Sequence, residues 1–261
     1  MSSPTTPLPS EPSPVLAPRF TPQEEASLLA ASHTQKSTAN ALFSQSSYSQ
    51  AISSYDAALA SCPSYLDYEI AVLKSNISAC HLKLSEWKEA IDSATAALDA
   101  LQRLETEEKT EKEKEGNADD AVIEISAESE EAEKEEIKKL ETSDKRRENI
   151  QRIRTKTLMR RAQAKSSLSG WANLQGAEDD YKAVNNLKTL GPIDQRIVQK
   201  ALRELPARIQ EARDREMGDM MGKLKELGNG ILKPFGMSTE DFRMVKDEKT
   251  GGYSMSFGKG G

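Results

Sequence analysis

Tyr48-Ser49-Gln50-Ala51-Ile52-Ser53-Ser54-Tyr55-Asp56-Ala57-Ala58 is the stretch that decides the fold of this chain. Tyr48, Ala51, Tyr55 and Ala58 stand three, four and three residues apart, which places all four on one face of a helix. The same ladder returns as Trp87, Ala90, Ala94 and Ala97, and again as Leu174, Ala177, Tyr181 and Val184. Alanines among the rungs let a neighbouring helix come close, so each copy predicts the second helix of a helical hairpin.

The first helices are expected upstream of the ladders, over Ser32 to Ser44, Tyr68 to Leu84 and Asn149 to Leu168. Gln45-Ser46-Ser47 and Ser85-Glu86 are the polar turns of the first two hairpins, and an irregularity near Gly170 to Asn173 predicts a turn about three residues longer in the third. Pro63 follows the first ladder where the tetratricopeptide pattern ends its second helix, because proline lacks a donor and restricts the residue before it. Ala51 to Ala90 spans 39 residues and Ala90 to Ala177 spans 87. Against a natural period of about 34, these spans imply insertions of roughly five and fifty residues. The expected fold is all-α: a tetratricopeptide-repeat superhelix of three helix-turn-helix repeats with C-terminal capping helices.

The insertions give the domain plan. Residues 1–22 hold seven of the eleven prolines among serines and threonines and are expected to be a disordered tail. Repeats 1 and 2 occupy 23–104, an acidic charged insertion 105–141, repeat 3 142–190, capping helices 191–231, and an irregular aromatic-containing tail 232–261. The capping segment, Asp194 to Gly230, reads as one or two helices in which Pro206 suits a first turn, and Leu202, Leu205, Ile209, Met217, Met221 and Leu224 can cover the last repeat, as a solenoid end requires. In the tail, Gly251-Gly252 between Met244-Val245 and Tyr253-Ser254-Met255 can turn a small hairpin.

Within the insertion, 16 acidic residues face 6 lysines, so a segment of net −10 is set in a remainder of +4. A basic body suggests an acidic partner or screening by the insertion itself. Glu128 to Lys145 can form a charged helix running into the third repeat, and Val122-Ile123-Glu124-Ile125 is an isolated apolar island. The start of the chain lacks the pattern of a secretory signal, and no apolar run suits a membrane span. The expectation is a cytoplasmic monomer. Cys62 and Cys80 read as buried side chains in a reducing compartment, and two cysteines with His33 and His81 do not suit zinc. No phosphate loop or acid–base pair points to an enzyme, and no cofactor, metal, nucleic acid or membrane is expected.

First helices line the concave side of such a superhelix, so their polar residues meet a bound peptide. Lys36 and Asn40 stand four apart on the first, Asn76 stands on the second, and Lys156 and Arg160 stand four apart on the third. Each pair shares a helical face. This set resembles the carboxylate clamp of chaperone-binding tetratricopeptide repeats, with Lys and Asn in the first repeat, Asn in the second, and Lys with Arg in the third. The resemblance implies a groove for the C-terminal Glu-Glu-Val-Asp tails of the 70- and 90-kilodalton heat-shock chaperones. Lysine and arginine suit charge-assisted bonds to the paired carboxylates of a terminal aspartate, and the two asparagine amides can donate as well. Phe43, one turn beyond Asn40, can add an apolar contact.

A wider resemblance, from about Lys36 to Phe257 apart from the acidic insertion, is to the tetratricopeptide repeat protein 1 family of co-chaperone-like adaptors. It is carried by Leu224-Lys225-Glu226-Leu227-Gly228-Asn229, Leu232-Lys233-Pro234-Phe235-Gly236-Met237-Ser238-Thr239-Glu240-Asp241-Phe242 and Thr250-Gly251-Gly252-Tyr253-Ser254-Met255-Ser256-Phe257. Ala39 departs from the glycine common in that family. The expected function is an adaptor or co-chaperone that binds the acidic tail of a chaperone and brings it a client. The alternative is a scaffold subunit that grips a non-chaperone partner, an internal helix or a GTPase-like protein, through its convex face and C-terminal tail.

Overall fold

A computed structural model of the chain describes residues 19–116, 130–187, 190–235, 237–239, 242–246 and 253–257. The Pro/Ser-rich tail lies outside the described residues except for its last four, and the island Val122-Ile123-Glu124-Ile125 lies outside them altogether. Seven helices are described: α1 Pro22–Ser44, α2 Tyr48–Ser61, α3 Asp67–Leu84, α4 Trp87–Gly116, α5 Glu130–Leu168, α6 Trp171–Asn186 and α7 Pro192–Leu232. A short 3-10 turn, Lys233–Phe235, leads to strands β1 Phe242–Lys246 and β2 Tyr253–Phe257, which pair antiparallel.

The helices form three successive hairpins, α1 with α2, α3 with α4 and α5 with α6, and each hairpin packs on the next. The ladders explain this packing. Ala51, Ala58, Ala90, Ala94, Ala97 and Ala177 are fully buried, and Tyr55, Leu174, Tyr181 and Val184 fill the space between. Small rungs bring helix axes together, and the larger side chains then reach native packing density. Cys62 and Cys80 are buried and free, and burial pushes the Cys80 thiol up to about 11.

Each hairpin turn carries a serine with left-handed backbone: Ser46, Ser85 and Ser169 all have φ of 61°. In the first two turns an amide one residue further on reaches back five residues, Ser47 N to Leu42 O and Glu86 N to His81 O, each at 3.0 Å. This is a Schellman closure, a position where glycine is the usual residue.

Three expectations are corrected. The third turn is not lengthened: α5 runs to Leu168 and α6 starts at Trp171, three residues before the ladder, so the extra residues are helical. The segment after repeat 3 is a single helix with Pro206 in its interior rather than in a first turn. Pro206 is exposed, so water can solvate the carbonyl its missing N–H leaves unbonded, while Val198, Leu205 and Ala212 stay buried on the other face. Finally, α7 caps the array with only its first half. Leu202 and Ile209 pack on the core beside Leu205, but Met217, Met221 and Leu224 are 41%, 58% and 59% exposed. At 41 residues against 16 for α6, α7 simply outruns the repeat it covers.

Charged residues lock the later repeats. Asp180, almost fully buried on α6, takes Arg161 Nε at 2.9 Å and Nη2 at 2.6 Å, and Lys165 Nζ at 2.9 Å. The acidic end of α4 runs beside α5, with Glu105 on Arg154 at 2.6 Å and Glu108 on Arg146 at 3.4 Å. The helix expected over Glu128 to Lys145 is present from Glu130 onward as the start of α5. Among the described residues no helix is long and apolar enough to cross a membrane.

Candidate functional site

The three first helices α1, α3 and α5 carry the five residues of the expected clamp. Tyr55, the third rung of the first ladder, ties two of them together. Its hydroxyl donates to Asn40 Oδ1 at 2.6 Å, and the Asn76 side chain approaches the same hydroxyl closely enough to favour its ionised form. Since Asn40 spends its oxygen on Tyr55, its Nδ2 is left to donate to a ligand. Burial pushes the Tyr55 hydroxyl up to about 12; Cys80 adds to the rise, while Arg160 and Asn76 oppose it.

Arg160 arrives at this point from α5. Its Nη1 donates to the Ser75 carbonyl at 2.6 Å and to Ser75 Oγ at 2.8 Å. Ser75 Oγ also shares a buried 2.7 Å hydrogen bond with Thr157 Oγ1, so α3 and α5 lie directly side by side despite the insertion between them. Burial lowers the Arg160 guanidinium from its ordinary value, with Tyr55 and Cys80 acting in the opposite sense. No carboxylate forms an ion pair with it among the described residues. Asn40, Asn76 and Arg160 therefore meet around Tyr55, with a half-buried cation that lacks a counter-ion among the described residues.

The remaining candidates stand differently. Lys36 Nζ lies 2.9 Å from Glu69 Oε2, and His33 Nε2 is 3.2 Å from the same oxygen. Lys156 is exposed and forms no ion pair among the described residues. Phe43 packs edge to face on Tyr48, with ring centres 5.3 Å apart, as part of the first repeat's core. Beside Glu69 a cavity of about 720 Å³ opens between Leu29, Tyr65, Tyr68, Arg146 and Asn149. Leu29, Glu69 and Asn149 each precede Lys36, Asn76 and Lys156 by seven residues, so the cavity prolongs the clamp's face by two helical turns.

No family model matches the chain. Solved structures similar to it are tetratricopeptide-repeat domains. The first such domain of Spaghetti (RPAP3), bound to an HSP90 peptide, is 17% identical with a TM-score of 0.39, over 67% of this chain and 96% of that one. The second domain of human RPAP3, in complex with an HSP70 peptide, is 16% identical with a TM-score of 0.40, over 70% and 98%. The Hsp90 co-chaperone Cns1 from Saccharomyces cerevisiae is 14% identical with a TM-score of 0.44, over 83% and 51%.

Sequence reasoning placed Tyr55 in the core and did not see its hydroxyl as the partner of Asn40. An aromatic rung with a polar tip, set between the small rungs Ala51 and Ala58, was the available sign. Ser75 and Thr157 left a fainter one, as small hydroxyl residues beside Asn76 and Lys156. Glu69 left none, because its partner lies 33 residues away on another helix. Among the described residues no group of histidine, cysteine and acidic side chains could hold a metal ion.

Proposed function

We propose that the concave groove binds the acidic C-terminal peptide of another protein, with the Glu-Glu-Val-Asp tails of the 70- and 90-kilodalton heat-shock chaperones as its ligands, and that the chain is a co-chaperone or adaptor. The observation that carries this reading is Arg160. A guanidinium withdrawn from water without an anion is a costly arrangement, and a ligand carboxylate delivered there relieves it through charge-assisted bonds. Asn40, bonded to Tyr55 through its oxygen, and Asn76 beside the same hydroxyl add amide donors at the same place, and Lys156 adds an exposed cation at its edge. A chain end bearing aspartate supplies two carboxylates within a few ångströms, which suits a site of several donors better than a lone side chain does.

Calorimetric titration with a peptide ending in Glu-Glu-Val-Asp tests the reading. Lys156→Ala with Arg160→Ala is expected to weaken binding by more than about tenfold, the equivalent of one charge-assisted hydrogen bond. Raising the salt from 0.05 to 0.5 M should also weaken it, since charges at an open groove are screened. Equal affinity for the free-acid peptide and its C-terminal amide would refute it.

A further inference from the structure

The groove holds a carboxylate of its own. Glu69 stands in the first turn of α3, where the helix dipole favours an anion, and it is only 17% exposed. Its Oε2 takes the Lys36 ammonium, itself 23% exposed, at 2.9 Å. The same oxygen lies 3.2 Å from His33 Nε2, so Glu69 keeps a partner if Lys36 leaves. Lys36 also stands one turn before Asn40, on the face that carries the clamp, and its four-carbon stem lets the ammonium swing toward either end.

Resting on the peptide-binding reading above, we propose that Glu69 is a specificity-determining residue of this groove. It holds Lys36 in the empty protein and surrenders it only to a ligand that brings a second carboxylate. A chain end with one carboxylate is served by Arg160, Lys156 and the two amides, and leaves the Lys36 to Glu69 pair in place. A chain end of aspartate offers another carboxylate, which competes with Glu69 for Lys36 while His33 satisfies the released oxygen. Glu69 thereby lowers the advantage of diacidic over monoacidic ends and sets how strongly acidic a ligand must be.

Glu69→Gln tests the exchange, because it keeps the shape and hydrogen-bonding capacity of the side chain and removes its charge. Two peptides, identical except for a final aspartate or asparagine, are titrated into the full chain and the variant. The variant is expected to bind the aspartate peptide about tenfold more tightly, the worth of one added charge-assisted bond, and the asparagine peptide within twofold of the parent. The gain should vanish in Lys36→Ala with Glu69→Gln, and thermal melts of both variants confirm that they are folded. Equal tightening toward both peptides, no tightening, or a gain that survives the loss of Lys36 overturns the exchange and leaves the groove reading intact. If the parent and the Glu69→Gln variant both fail to bind either peptide, the groove reading itself falls, and the exchange with it.

Discussion

Replacing Tyr55 by phenylalanine removes one oxygen atom from the centre of the site and leaves the ring that fills the first repeat's core. The ring is 2% exposed, so no cavity opens. What is lost is the 2.6 Å bond to Asn40 and the approach of Asn76. Asn40 is exposed and can turn to water, so the expected cost at pH 7 is about 1 kcal/mol, that of one ordinary hydrogen bond. Alkali should reverse the order of stability. Burial raises the folded-state value of this hydroxyl from 10.0 to about 12, so its stabilisation is whole below pH 10 and is lost as the pH climbs through 12. In that window the unfolded chain ionises first, which by pH 11 costs the parent about 1.4 kcal/mol that the phenylalanine variant does not lose. The two stability curves should therefore cross near pH 11. Urea unfolding followed by circular dichroism at 222 nm, at pH 7, 9, 10 and 11, measures the difference directly. A difference that stays constant from pH 7 to 11 would refute the burial of this hydroxyl, and the absence of any difference at pH 7 would refute its role as an anchor.

Asp180→Ala should cost about 3–5 kcal/mol, since it strands two half-buried cations, Arg161 and Lys165; a loss under 1 kcal/mol in urea unfolding would show that the pairing contributes little. Ser46→Gly, Ser85→Gly and Ser169→Gly each relieve a left-handed serine and should stabilise by about 0.5–1 kcal/mol. The turns share no side-chain partner, so a triple variant should show nearly the sum in the same assay.

The ladder made the repeats legible because burial is repetitive: the same small rungs must vanish under a neighbouring helix in every copy, and spacing alone reports it. The amides and Arg160 could be placed on first helices because each stands in the helical stretch directly upstream of a ladder. Glu69 was illegible because an ion pair between successive first helices has no period within either. The left-handed serines were hidden by their identity, since residue type points to glycine at such positions. The overrun of α7 was hidden too. Its Met and Leu residues keep helical spacing to the end, and nothing in that spacing says where the repeat surface beneath them stops.

The described parts of the long insertion lengthen two helices and leave the hairpins undisturbed. α4 has 30 residues and α5 has 39, so they extend about 45 and 58 Å, while Glu105 and Arg154 pair across the root of the excursion. Such an arrangement is a stalk. Whole turns can be added to or removed from its two arms together without changing the phase of any residue in the groove. The chain can thus alter the reach and charge of this appendage while the binding face stays as it is.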